Sequence, residues 1–418
     1  MKLFASFFLL SVPFLAHATS PTIAGTWRGT ATVHGQQVPL TLSIAGSGNN
    51  LKAALINGPE QSQASSVTLE GNHLVVAFNY FARKFDATLI DGTLSGTFGT
   101  VAANYPVTAK QAAKPVAAKP APNAPDIHGE WEIATKSSKG EAAWQLRVSG
   151  DSKSEIHAVI QRIDGDTGSL FGTWDGQTYA VSHLSAAGPA LYSLTPQPDG
   201  TLLVSNLLRA DIKPKPEQQN LVARRPAEAR KQNLPAPTDS AQQTSVKDPS
   251  VPFAFSFPDV SGKIVSNTDP QFDGKVVIVA IGGSWCPNCH DEAPFLVNLY
   301  EQFHSRGLEI VSLSFEEEEH LKDPERIHAF ITRYGIPYNV LLAGQTDQLN
   351  EKLPQAVNLN CWPTTFFLGR DGLVKEVHAG FAGPANPPAH EALKQEVTDL
   401  IEHLLAEPVP VRTASATQ

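Results

Sequence analysis

Cysteine is scarce in this chain: three residues in 418. That excludes a small scaffold framed by disulfides. Basic residues are also in deficit, 32 against 41 acidic ones, for a formal net charge of −9. Such a balance argues against a nucleic-acid partner, which selects a basic surface. No second cysteine pair and no histidine pair at ligand spacing accompanies the cysteines, so a zinc site is not expected. After the first residues, no apolar run is long enough to cross a bilayer. Hydrophobic residues make up an ordinary 41%, which excludes wholesale disorder. At about 150 residues per domain the length suggests about three domains.

The N-terminus reads as an address. Lys2 precedes an apolar run from Leu3 to Leu15, and Ala16-His17-Ala18 has the small-x-small pattern of a cleavage site. Residues 1–18 are therefore expected to be a secretory signal peptide, leaving an exported, periplasmic protein with no membrane span. The compartment would let disulfides persist.

A diverged repeat follows. Ile23-Ala24-Gly25-Thr26-Trp27 opens one copy and Ile127-His128-Gly129-Glu130-Trp131 opens another. Val38 to Ile44 and Ala142 to Val148 alternate apolar and polar residues, as half-buried strands do. Turn signals recur at short intervals, among them Asn57-Gly58, Asp91-Gly92, Asp164-Gly165 and Asp199-Gly200. Two small all-β domains, barrels or sandwiches, are expected at 19–110 and 126–224. Trp27 and Trp131 are read as one core tryptophan per domain. The Gly-x-Trp opening resembles the first strand of lipocalin-like barrels. An Ala/Lys/Pro tract, 111–125, reads as a semi-rigid spacer. Residues 225–250 read as a flexible polar linker, and 407–418 as a flexible tail.

The last domain, 251–406, changes character. Apolar Lys275 to Ile281 reads as a buried strand, Cys289 to Ser305 as a helix, and Leu308 to Phe315 as a strand. A helix from Pro324, strands at 338–342, 364–368 and 373–378, and a helix over 388–405 complete an α/β sandwich. All three cysteines lie here. Trp285-Cys286-Pro287-Asn288-Cys289 stands where the first strand hands over to the long helix. Free backbone N–H groups at a helix start stabilise a thiolate at its first cysteine. Pro287 suits the first turn, where its missing N–H costs nothing. Cys286 is expected to be the exposed nucleophile and Cys289 the more buried resolving thiol. Glu292, three residues after Cys289, shares its helix face. His290 reads as a solvated helix residue, Cys361 as a buried small hydrophobe, and Glu316 to Glu319 as a solvated acidic run. Trp285 is expected to pack beside the cysteine pair.

The segment from Lys275 to Pro294, with Trp285-Cys286-Pro287-Asn288-Cys289 and Glu292, resembles the TlpA/ResA-type thioredoxin-like family of exported thiol–disulfide oxidoreductases. Trp362-Pro363-Thr364-Thr365-Phe366 is similar to that family's second signature. The resemblance covers about a third of the chain and implies a thioredoxin fold with Pro363 cis beside the thiols. It implies a redox-active disulfide between Cys286 and Cys289, and an active-site loop including Trp285, Pro287, Trp362 and Pro363. It also implies an acid–base role for Glu292, since thioredoxin's buried Asp is here Ala280. The implied reaction is reduction of disulfide-containing proteins with electrons from a membrane thiol donor, without cofactor or metal. Cytochrome c biogenesis and antioxidant activity are the settings it suggests. Two alternatives stay open: a thiol peroxidase of related fold, and a ligand- or partner-binding protein with an auxiliary redox domain.

Overall fold

The computed structural model describes residues 23–112, 121, 123–209 and 219–409. The expected signal peptide, most of the Ala/Lys/Pro tract and the tail beyond 409 lie outside them.

The first copy is a nine-stranded antiparallel sheet: β1 Gly25–Val33, β2 Gln36–Ala45, β3 Lys52–Asn57, β4 Glu60–Gln63, β5 Ser66–Glu70, β6 His73–Phe78, β7 Arg83–Ile90, β8 Thr93–Gly99 and β9 Asn104–Gln111. Its order is β4-β3-β2-β1-β9-β8-β7-β6-β5, so the chain's first strand joins the two arms and the edges β4 and β5 remain unpaired to each other. The second copy has β10 Gly129–Ala134, β11 Ala143–Ser149, β12 Glu155–Arg162, β13 Gly165–Asp166, β14 Leu170–Trp174, β15 Tyr179–Ser185, β16 Gly188–Pro196, β17 Leu202–Asn206 and β18 Leu221–Arg224. An added β11–β12 pairing closes this sheet into a barrel, with β13 turned out of the ring beside β12.

The repeat is visible in side-chain chemistry. Trp27 Nε1 donates to the Ile23 carbonyl at 2.8 Å, and Trp131 Nε1 to the Ile127 carbonyl at 2.9 Å. Both indoles are buried, so each ring fills a core while its polar edge is satisfied by the segment leading into the strand. Alternation drives the rest: in β2, Val38, Leu40, Leu42 and Ile44 point inward.

The 225–250 segment is folded rather than a free tether. It contains α1 Pro226–Lys231 and β19 Ser245–Val246, the latter paired with β25 Ala356–Val357. Ser240 Oγ meets His378 Nε2 at 2.8 Å, and Gln243 Nε2 donates to Asn360 and to the Lys139 carbonyl. Polar side chains with specific partners hold it, which is why apolar periodicity gave no sign of order.

The last domain opens with the hairpin β20 Ser256–Pro258 and β21 Ile264–Ser266. Then follow β22 Val276–Gly282, α2 Pro287–Phe303, β23 Leu308–Glu316, α3 Glu318–Lys322, α4 Glu325–Tyr334, β24 Asn339–Gln345, α5 Leu349–Lys352, β25, β26 Thr364–Leu368, β27 Val374–Ala379 and α6 Pro387–Ala406. The sheet order is β24-β23-β22-β26-β27, with β23 parallel to β22 and β26 antiparallel to it. Every residue of β22 is buried. Val276, Ile278 and Ala280 face Phe295, Leu299 and Phe303 of α2 and Ile401 of α6, while Val277, Val279 and Ile281 face Phe253, Phe255 and Phe366. Burial on both faces makes a continuous apolar run, the signature of a central strand. The C-terminal end of β22 therefore delivers the cysteine motif to one rim of the sheet. Among the described residues no helix is long and apolar enough to cross a membrane.

Replacing Trp131 by Phe keeps the ring but strands the buried Ile127 carbonyl. Urea unfolding should show a loss of about 1–3 kcal/mol, and an unchanged midpoint would contradict the satisfied-core account.

Candidate functional site: a thiol pair at a helix start

Gly282 ends β22, and after a short loop Cys286 caps α2. The cap is the sulfur itself: Cys289 N–H donates to Cys286 Sγ at 3.2 Å. Pro287 occupies the first helical position. The sulfur thus meets the positive end of a 17-residue helix.

The loop before Cys286 is held by a buried ionic network. Glu316, wholly buried, accepts from Ser284 N at 2.6 Å, Ser284 Oγ at 2.8 Å and Ser314 Oγ at 2.7 Å. Arg326 of α4 pairs with it at 2.6 Å, donates to Ser284 Oγ at 2.7 Å, and also reaches Glu317. The expectation of a solvated acidic run therefore fails at Glu316. Glu316 is the last residue of β23, a strand buried along nearly its whole length, and Arg326 compensates its charge.

His290 also departs from expectation. It is buried, not solvated, and stacks on Phe81 of the first β domain with ring centroids 3.9 Å apart. Nε2 lies 2.8 Å from the Ser284 carbonyl, so this nitrogen carries the proton, and Nδ1 accepts from Tyr334 OH at 3.0 Å. Burial pushes its pKa down to about 3, keeping the ring neutral.

Trp285 Nε1 donates to the Phe315 carbonyl at 2.9 Å, and its ring meets Trp362 edge-on at 5.4 Å. The Trp362–Pro363 peptide is cis. Trp285 stands on the loop before α2, Pro287 at its first position, and Trp362 and Pro363 on the loop leading into β26. Cys361 is fully buried against Ile163 and Ala379, and burial pushes its thiol up to about 12.

Cys286 is not the exposed thiol the sequence suggests. It is 2% exposed and Cys289 6%. Both are free thiols. Burial, and then the neighbouring Cys286 sulfur, hold the Cys289 thiol well above its ordinary range. Glu292 is buried and accepts from Thr365 Oγ1 at 2.7 Å. Burial pushes its carboxyl up to about 7, with the Thr365 bond opposing that rise. Cys289 and Glu292 line one cavity of about 20 Å³ together with Ser312, Ser314 and Tyr338. A buried thiol that resists ionisation and a carboxyl titrating near neutrality therefore share one small space. Among the described residues no group of three or more His, Cys, Asp or Glu side chains is arranged to hold a metal ion.

Sequence reading missed Thr365, Arg326, Asn288 and Gly383. Asn288 lay within the motif, but its partner, the Asp164 carbonyl at 2.8 Å, belongs to the second β domain.

Residues 249–377 match the family model described as the AhpC/TSA family. The thiol-disulfide oxidoreductase ResA of Bacillus subtilis (strain 168) is 32% identical over 126 residues, which is 30% of this chain and 64% of that protein. ResA of Geobacillus thermodenitrificans is 27% identical over 139 residues, 33% of this chain and 73% of that one. The chain thus spans under two thirds of the Bacillus subtilis relative. A solved thiol:disulfide interchange protein of the thioredoxin family from Chlorobium tepidum is 23% identical, with 39% of this chain and 100% of that one covered and a TM-score of 0.30. The C-terminal domain is thioredoxin-like.

Two outcomes follow from these contacts. Arg326→Ala leaves Glu316 buried and unpaired, and should cost about 3–5 kcal/mol in denaturant unfolding. Loss below 1 kcal/mol would contradict the network's role. Glu292 binds a proton more tightly folded than unfolded, so the folded state carries more protons between its ordinary pKa of 4.5 and about 7. Its contribution to stability is present below that window and is lost as pH rises through it, by on the order of 3 kcal/mol. Glu292→Gln should flatten this slope relative to the unsubstituted protein, and identical slopes would refute it.

Proposed function

We propose that the protein is an exported, periplasmic thiol–disulfide oxidoreductase that reduces disulfides of other proteins through Cys286 and Cys289. The observation that carries this reading is the Cys286 sulfur serving as the cap of α2, with Cys289 donating to it. The likeness of 249–377 to ResA oxidoreductases supports it. A dithiol three residues apart, rather than a lone cysteine, favours exchange over peroxide reduction. The N-terminal apolar run supports export.

In the proposed cycle the Cys286 thiolate attacks one sulfur of the substrate disulfide. The substrate S–S bond breaks, one substrate sulfur leaves as thiolate and is protonated, and the other is bonded to Cys286. Cys289 then gives its proton to Glu292 and attacks Cys286 Sγ. The second substrate sulfur leaves as thiolate and takes up the proton that Glu292 received, and a Cys286–Cys289 disulfide remains. Two electrons and two protons pass to the substrate, and a thiol donor, for which a membrane dithiol is the proposed source, returns them.

With Cys289→Ala the full chain should stop at a mixed disulfide on Cys286, detectable by non-reducing electrophoresis and peptide mapping. Cys286→Ala should trap nothing, and equal trapping by both variants would overturn the assignment. Glu292→Gln should lower the exchange rate at pH 7 by about 10²-fold and remove the limb of the pH–rate profile near 7. Unchanged profiles would remove Glu292 from the mechanism.

A further inference from the structure

A protein disulfide reaches a nucleophile only if polypeptide comes into contact with it, and Cys286 is 2% exposed. The second β domain reaches into this rim. The β12–β13 hairpin leaves the barrel and lies along the end of β27 and the start of α2. Asn288 Nδ2 donates to the Asp164 carbonyl at 2.8 Å. Gly165 forms a parallel β-bridge with Phe381, just beyond the edge strand β27. Gly383 N–H donates to Asp166 Oδ2 at 2.8 Å. Ile163 covers Cys361 and Ala379.

The approach is backbone to backbone. A β-carbon at Gly165 would lie 2.4 Å from Asn288 Nδ2 and 2.6 Å from the Phe381 carbonyl oxygen, and one at Gly380 would lie 2.1 Å from the Ile163 carbonyl oxygen. The hairpin's support comes from its own domain. Glu141 accepts from Ile163 N at 2.7 Å, and Lys139 pairs with Asp164 at 2.6 Å. It is therefore built as the tip of that domain.

We propose that the β12–β13 hairpin is an internal occupant of the surface on which an extended polypeptide carrying the substrate disulfide docks, so that the second β domain gates Cys286. The proposal rests on the oxidoreductase reading. The hairpin presents what such a segment would present: an extended backbone with a carbonyl for Asn288, a bridge to the Phe381 edge and an acceptor for Gly383 N–H. Strand addition to an open edge is a general mode of peptide capture. The hairpin is held at this edge by three hydrogen bonds, the third from Asn386 Nδ2 to Gln161 Oε1 at 3.4 Å, by one bridge and by one small apolar contact, each of modest net worth. Displacement by a competing strand is therefore within reach, and domain interfaces of this kind permit relative motion.

The test uses the full chain as unsubstituted protein, Gly165→Val and Asp166→Ala. Departure of the hairpin is read from the alkylation rate of Cys361, which Ile163 covers, and gating is read from reduction of insulin. Both rates should rise together by tenfold or more in the variants. A variant hairpin that misfolds also leaves the groove and should give the same rise. An accessible Cys361 with insulin reduction within twofold of the unsubstituted chain would overturn the proposal. If neither substitution frees Cys361, the mixed disulfide of Cys289→Ala with an insulin chain decides. Cys361 exposed in that complex supports displacement, and Cys361 still protected overturns it. Variants that free Cys361 yet reduce neither insulin nor a small aromatic disulfide would refute the oxidoreductase reading itself, and the gate with it.

Discussion

The hydrogen bond from Cys289 N–H to Cys286 Sγ is the contact on which the rest depends. It sets the first sulfur as the cap of α2 and places the second within the same turn. A sulfur in that position satisfies one of the helix's otherwise unpaired N–H groups. Everything else holds the arrangement in place. β22 is buried on both faces and delivers the loop. The Glu316–Arg326 pair clamps Ser284, and Ser284 in turn accepts from His290. Neutral His290 spends both ring nitrogens on this support and has no free one for proton transfer. Glu292 stands where its helix face meets β26, accepting from Thr365 Oγ1, and is the group to which the proposed cycle gives that part.

The two β domains are more than a spacer. The first lays Phe81 on His290 and places Tyr80 beneath Arg333 at 4.1 Å. The second sends its hairpin to Asn288 and Phe381. A cavity of about 590 Å³ remains where the three parts meet, lined in part by Pro287, Asn288, Arg162 and Arg333. The Cys286–Cys289 motif is thus bordered on two sides by the β domains, through Phe81 on His290 and the Asp164 carbonyl on Asn288. The proposed gate makes that border restrict which disulfides approach.

What could be read from the sequence was local. The spacing of Cys286 and Cys289, the apolar run of β22 and the alternation in β2 and β11 each report on neighbours within a few residues, and each element lies within a residue or two of its expected place. Trp27 and Trp131 share an Ile-x-Gly-x-Trp pattern, and each indole donates to the carbonyl of that isoleucine. The burial of Cys286 was not legible, nor was the hairpin that reaches the neighbouring Asn288 through the Asp164 carbonyl, because a backbone contact from a distant domain leaves no side-chain pattern. Glu316 was misread because its run of four acids looks uniform, while only Glu316 belongs to the buried strand β23 and meets Arg326 there. His290 was misread because its stacking partner, Phe81, comes from another domain. The 225–250 segment was misread because it is fixed by polar pairs such as Ser240 with His378.

The most direct measurement is a redox titration of the full chain in thiol–disulfide buffers, with every cysteine mapped by mass spectrometry. The account predicts a single two-electron step in which Cys286 and Cys289 join while Cys361, fully buried, stays a thiol. A chain whose pair never closes, or whose first disulfide includes Cys361, would contradict it.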